Sequence, residues 1–240
     1  MFSNYREKTV GLLVLVAVLV AGTAAYAFHS WGLYHWARTS NPFTLKLGDN
    51  VSTDWDAYLA EASSDWSQSS VLDTTIVAGG TDPKRCRATN GRVEVCSRTY
   101  GFNGWLGVAS IRVSGSHIVQ GTVKMNDSYF NTSTYNTIGW RSLVMCQEIG
   151  HTLGLGHQDE NFNNPPITPH TCMDYFVPGT NEVVHPNQHD YDQLVTTYSH
   201  FDSTTTVGLI IDKPGNGKNS DTAEWGKSIK EDAKGRTSLY

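Results

Sequence analysis

At 240 residues the chain is long enough for one good-sized domain with appendages. A hydrophobic share of 39% against 17% charged residues fits a globular protein with a polar surface. A formal net charge of −5, with no basic stretch interleaved with aromatics, gives no footing for a nucleic-acid partner.

The first 27 residues read as a secretory signal peptide. Arg6 and Lys8 precede the almost purely apolar run Val10–Val20, and Ala25-Tyr26-Ala27 supplies the small-residue cleavage pattern. The alternative is an uncleaved N-terminal anchor, since the apolar run nearly reaches spanning length. Export makes an extracellular location the expectation, with no membrane contact after cleavage, and permits disulfides. The four cysteines allow three pairings. Cys86 and Cys96 flank a stretch holding the turn pair Asn90-Gly91, which predicts a stapled hairpin. Crossed pairing or free thiols remain open.

Phe28–Ser40 is rich in aromatics, and its His29 and His35 are expected to pack there and not to bind a metal. Pro42–Leu47 alternates like a strand. Thr53 or Asp54 is expected to cap a helix from about Trp55, with Trp55, Leu59, Ala62 and Trp66 on its apolar face. Val71–Ala78 reads as a strand closed by Gly79-Gly80. Trp105–Val113 and His117–Asn126 read as two more, turning at Ser114-Gly115-Ser116. A helix enters near Thr137 with Leu143, Val144, Ile149 and Leu153 facing the core. Asn161–Pro169 is a loop. Asn187 caps a last helix, with Asp190 three residues on and Leu194, Val195 and Tyr198 as its packing face. Histidines 170, 185, 189 and 200 read as polar surface, with one of them able to stand in for a missing ligand. Thr204–Ile211 could still form a strand, and Lys213–Lys234 reads as a flexible or weakly held tail. The chain thus divides into a signal segment 1–27, a domain 28–204 and a polar tail 205–240.

The stretch that carries chemistry is Cys146-Gln147-Glu148-Ile149-Gly150-His151-Thr152-Leu153-Gly154-Leu155-Gly156-His157. Helical residues four apart share a face, so Gln147 and His151 point together at one ion. Glu148, one step round, is placed to take a proton from the attacking water. Gly154 falls where a helix ends and positive φ turns the chain back, bringing His157 round as a third ligand. No Ser-His-Asp or cysteine-nucleophile signature competes, and there is no Gly-rich phosphate loop.

This pattern resembles the zincin helix motif in its extended metzincin form, with Gln147 where that motif has its first histidine. Cys172-Met173-Asp174-Tyr175 looks like the Met-turn that passes beneath the metal in metzincins, and the order of parts is similar to that of matrixin-like metallopeptidases. The resemblance implies an α+β, metzincin/zincin-like fold: a twisted mixed β-sheet packed on an active-site helix, then a Met-turn and a C-terminal helix. It implies Zn2+ held by Gln147, His151 and His157, with Glu148 as general base and Met173 as the floor. The activity implied is that of a secreted zinc metalloendopeptidase, a monomeric hydrolase acting on protein or peptide substrates. Structural Ca2+ has room among the Asp and Asn loops. A Cys146–Cys172 bridge would pin the site's floor to its helix. Gly104–Ile111 is the expected sheet edge for substrate pairing. An amide oxygen is a poorer zinc donor than imidazole, so weak metal binding is expected. The alternative reading is a catalytically impaired metzincin-like scaffold that serves as a protein-binding module.

Overall fold

The computed structural model describes residues 29–208 and three short strands in the tail. The signal segment 1–27 and most of Lys213–Lys234 lie outside the described residues.

The elements in chain order are β1 (His35–Trp36), β2 (Phe43–Asn50), α1 (Asp56–Trp66), β3 (Leu72–Ala78), β4 (Val93–Arg98), β5 (Gly107–Ser114), β6 (His117–Asn126), α2 (Asp127–Phe130), α3 (Ile138–Thr152) and α4 (Gln188–Thr197). The tail adds β7 (Thr222–Glu224), with β8 (Lys230–Glu231) and β9 (Thr237–Ser238) as a separate two-stranded ribbon. The main sheet runs β3-β2-β4-β6-β5-β7, with β1 also paired to β6. Strands β1, β2, β3, β4 and β6 pair in parallel, while β5 runs antiparallel to both β6 and β7. The architecture is therefore α+β with a mixed sheet, as expected.

Local sequence explains most of this. Along β2, Phe43, Leu45 and Leu47 turn inward while Thr44 and Lys46 face out, the period-two signature of a strand with one covered face. Parallel β2 and β3 need a crossover, and α1 supplies it. Its Trp55, Leu59, Ala62 and Trp66 are buried, as their spacing predicts. Two buried indoles tie the core to α3: Trp66 Nε1 donates to the Cys146 carbonyl at 3.1 Å and Trp36 Nε1 to that of Thr152 at 2.9 Å. Asn187 and Asp190 form the predicted capping box at the start of α4.

Five expectations need correction. Cys86 and Cys96 are bonded, with Cα atoms 6.0 Å apart, but no hairpin lies between them. Strand β4 is buried on both faces and pairs in parallel with β2 and β6, so the bridge fastens a loop to a central strand. Gly91, at φ 74°, makes a turn inside that loop. Neither Thr53 nor Asp54 caps α1; Trp55 stands at the cap without a side-chain bond, its indole donating to Asp127 Oδ1 at 2.8 Å. Val195 is exposed, so α4 packs through Leu194, with Tyr198 just beyond its end. Residues 204–208 of the expected strand Thr204–Ile211 are not strand, and 209–211 lie outside the described residues. Finally, β5 is not a free edge. Ser110, Ile111 and Arg112 pair with Glu224, Ala223 and Thr222 of β7.

Candidate metal centre

Helix α3 is started by Thr137, whose hydroxyl accepts from Trp140 N at 3.2 Å. It runs unbroken through Gln147, Glu148 and His151. It ends in a Schellman motif: Gly154 N donates to the His151 carbonyl (3.0 Å) and Leu155 N to that of Gly150 (3.3 Å). Gly154 sits at φ 96°, and a Cβ there would come within 2.4 Å of the Tyr34 carbonyl, so conformation and space both demand glycine. The emerging chain is stitched to the N-terminal segment by Trp31 N to the Gly154 carbonyl (2.7 Å). That return carries His157 back over the helix.

The two histidines meet. His151 Nε2 lies 3.0 Å from His157 Nε2. His151 Nδ1 is 2.8 Å from the Leu155 carbonyl and His157 Nδ1 is 2.9 Å from Glu160 Oε1. A carbonyl and a carboxylate only accept, so both rings carry their proton on Nδ1 and present a lone pair on Nε2. Two lone pairs facing at that separation repel unless a cation lies between them. Outer acceptors that fix the tautomer in this way are the usual companions of metal-ligating histidines. Burial, then the neighbouring ring, holds His151 well below the ordinary imidazole range, and burial lowers His157 too.

Glu148 lies on the same helix as His151, against β5. A Cβ on Gly107 would fall 2.7 Å from Glu148 Cγ and 2.8 Å from its Oε1, so the strand can lie on the carboxylate only because that position has no side chain. The Ala109 backbone hydrogen-bonds the carboxylate, while burial raises its pKa to about 8. Glu148 Oε2 is buried with no hydrogen-bond partner. Such an oxygen fits a site built to hold something further.

Gln147 sits one turn before His151 and is buried. Its Nε2 donates to the Cys172 carbonyl at 2.9 Å. Amide planarity turns Oε1 away from that carbonyl. Met173 is fully buried beneath the helix: a Cβ on Gly150 would be 2.6 Å from its sulfur and 2.6 Å from Trp66 Cζ2. Cys146 and Cys172 are bonded, Cα atoms 5.8 Å apart, and join the helix to this turn. The Tyr175 ring stands 4.4 Å from that of His157.

The structure thus brings His151 and His157 together, with Gln147 and Glu148 on the helix that carries His151. His170 pairs with Glu182, His185 with Asp65, and His189 lies against His29, so none of these enters the centre. Sequence reading missed Glu160, whose signal is its position three residues after His157. It also missed His35 and His200, which meet Asp202 elsewhere.

The residues present fit a transition-metal ion. They offer two imidazole lone pairs with their outer partners in place, a neutral amide and an unpartnered buried carboxylate oxygen. No protein-family model matches the chain, and no curated protein does. Among solved structures it is similar to high choriolytic enzyme 1, a hatching enzyme zinc-protease from Oryzias latipes (medaka), at 13% identity and TM-score 0.37, over 69% of this chain and 94% of that one. Two structures of myroilysin are similar at 14% identity, with TM-scores of 0.38 and 0.36, over 68% of this chain and 82% and 86% of theirs. Likeness at that level assigns no function.

Proposed function

We propose that the chain is a secreted zinc-dependent endopeptidase of the matrixin-like metzincin kind. Gln147, His151 and His157 hold the ion and Glu148 is the general base. One observation carries this reading: two imidazole nitrogens 3.0 Å apart, each with its other nitrogen tied to an acceptor, while the helix that bears His151 also carries a buried carboxylate oxygen that has no partner. Zinc, when bound, supplies a Lewis acid that polarises the peptide carbonyl and acidifies water.

The chain's own groups do the rest. Burial favours the neutral carboxyl of Glu148, and a cation bound nearby would offset this, leaving it ionised to take the proton of the attacking water and give it to the departing amine. The carbon–oxygen bond to water forms first, and the carbon–nitrogen bond breaks afterwards, when that proton reaches the nitrogen and makes the amine a leaving group. The Ala109 contact orients the carboxylate and leaves Oε2 for water. Strand β5 runs against Glu148 at Gly107, ahead of the Ser110–Arg112 stretch that β7 pairs, and an extended peptide would have to displace β7 to pair along the rest of it. Through Cys172, Gln147 couples the ligand helix to the turn bearing Met173. The two disulfides support an extracellular setting, and no described helix is long and apolar enough to cross a membrane.

A second reading, a scaffold that binds protein without cleaving it, draws support from β7 lying on β5. Purified protein assayed for zinc and for casein cleavage, with and without chelator, separates the two. Chelator-sensitive cleavage is the expected result. Zinc without cleavage favours the scaffold, and no zinc after loading removes the peptidase reading.

A further inference from the structure

A second constellation lies where the N-terminal segment meets the chain after α4. His35 comes from β1, His117 opens β6, and His200 and Asp202 follow α4. His35 Nε2 and His200 Nε2 are 3.2 Å apart. Asp202 Oδ1 is 3.6 Å from the first and 3.7 Å from the second. The point equidistant from these three atoms lies about 2.0 Å from each, the length of a zinc bond to imidazole nitrogen or carboxylate oxygen. A hydrogen bond between the rings would account for the 3.2 Å contact alone. The two longer distances are too long for hydrogen bonds and suit ligands arranged around an ion.

The surroundings favour that arrangement. His35 Nδ1 lies 2.9 Å from the Leu33 carbonyl, which puts the proton there and the lone pair on Nε2. Arg38 binds the other oxygen of Asp202, through Nη1 at 2.9 Å and its backbone N at 3.1 Å. Arg38 therefore keeps the carboxylate ionised and turns Oδ1 towards the rings. His117 Nε2 stands 3.1 Å from the same Oδ1, close enough to serve as an outer partner or a further donor. His35 and Asp202 are largely buried, while the His200 side chain is 51% exposed and gives a way in. A cavity of about 520 Å³ lies alongside, lined in part by His35, Ser116, Gln193 and His200.

We infer that His35, His200 and Asp202 form a second site for a divalent transition-metal ion, zinc by donor chemistry, which ties β1 to the chain after α4. Two neutral imidazoles and one carboxylate suit zinc and do not suit calcium or magnesium, which prefer oxygen ligands. The site shares no residue with the Gln147 centre and stands whether or not that centre holds a metal.

The test compares the mature protein with its His200→Ala variant, each stripped with chelator, reloaded with zinc and counted for bound metal. His200 is half exposed and lies outside the helices, so folding should survive, which far-UV circular dichroism checks. The site predicts that the variant binds one zinc fewer per chain, with affinity at that site down by about 100-fold or more. It also predicts that a His151→Ala/His157→Ala variant keeps one zinc, which His200→Ala then removes. An unchanged zinc count in His200→Ala overturns the site. Loss of all zinc in His151→Ala/His157→Ala, with the fold intact, overturns it as well.

Discussion

Gly150→Ala sets two physical effects against each other. Gly150 is a buried interior residue of α3, and on helix propensity alone alanine should stabilise by about 1 kcal/mol. Packing says the opposite. The new Cβ would stand 2.6 Å from the Met173 sulfur and 2.6 Å from Trp66 Cζ2, so one or both must retreat by ~1 Å to reach ordinary contact. Neither moves freely. The Trp66 indole is held by the Cys146 carbonyl, and the Met173 backbone by Gln158 N at 2.6 Å and the Thr171 hydroxyl at 3.1 Å. Overpacking of this kind costs roughly 1–3 kcal/mol, partly relieved because methionine can rotate. Net of the propensity gain, the variant should lose up to about 2 kcal/mol. For a domain of this size that lowers Tm by up to roughly 8 °C, read by calorimetry on zinc-free protein. Adding Met173→Ala removes the sulfur contact, so the double variant should lose less than the two singles summed, by about 1 kcal/mol. A Tm that rises in Gly150→Ala would refute the packing of Met173 and Trp66 against the helix.

Glu148→Gln should keep its zinc but lose peptide cleavage by a factor of about 10²–10⁴, since it deletes the base and spares the ligands; undiminished kcat would assign the proton transfer elsewhere. Deleting residues 209–240 strips β7 from β5 and should raise kcat/KM towards extended peptides, and equal values would mean that β7 does not compete with substrate. Replacing Cys146 and Cys172 together by serine opens a loop with a sequence separation of 26 and should cost about 3 kcal/mol in urea unfolding under oxidising conditions, against no change if the bridge carries no constraint.

The parts of this molecule fixed by neighbours in sequence were legible; those fixed by distant partners were not. Strand β6 matches its expected span, and the Asn187 capping box and the Gly154 helix end stand where their residues predicted. Each depends on atoms within a few residues. The Cys86–Cys96 stretch misled because Asn90-Gly91 is a local hairpin signal, whereas β4 is placed by parallel pairing with strands β2 and β6, far off in the chain. The start of α1 escaped because an indole buried against Asp127 fixes it and no cap does. In the site, spacing anticipated that His157 returns to meet His151, since one helix and the turn after it carry both. The contact of Glu148 with Ala109 and Gly107 depends on how the sheet lies over the helix. His35 and His200 are separated by 165 residues, and only folding brings them together.

The central claim is that two histidines and an amide from one helix and its return bind a single zinc ion. Zinc X-ray absorption on His200→Ala protein carrying one equivalent of metal tests it most directly. The account predicts two imidazoles with oxygen donors completing the shell, and a third imidazole with tighter binding in a His200→Ala/Gln147→His variant. Tightness unchanged by that substitution would remove Gln147 from the ligand set, and zinc with no imidazole in its shell would contradict the centre itself.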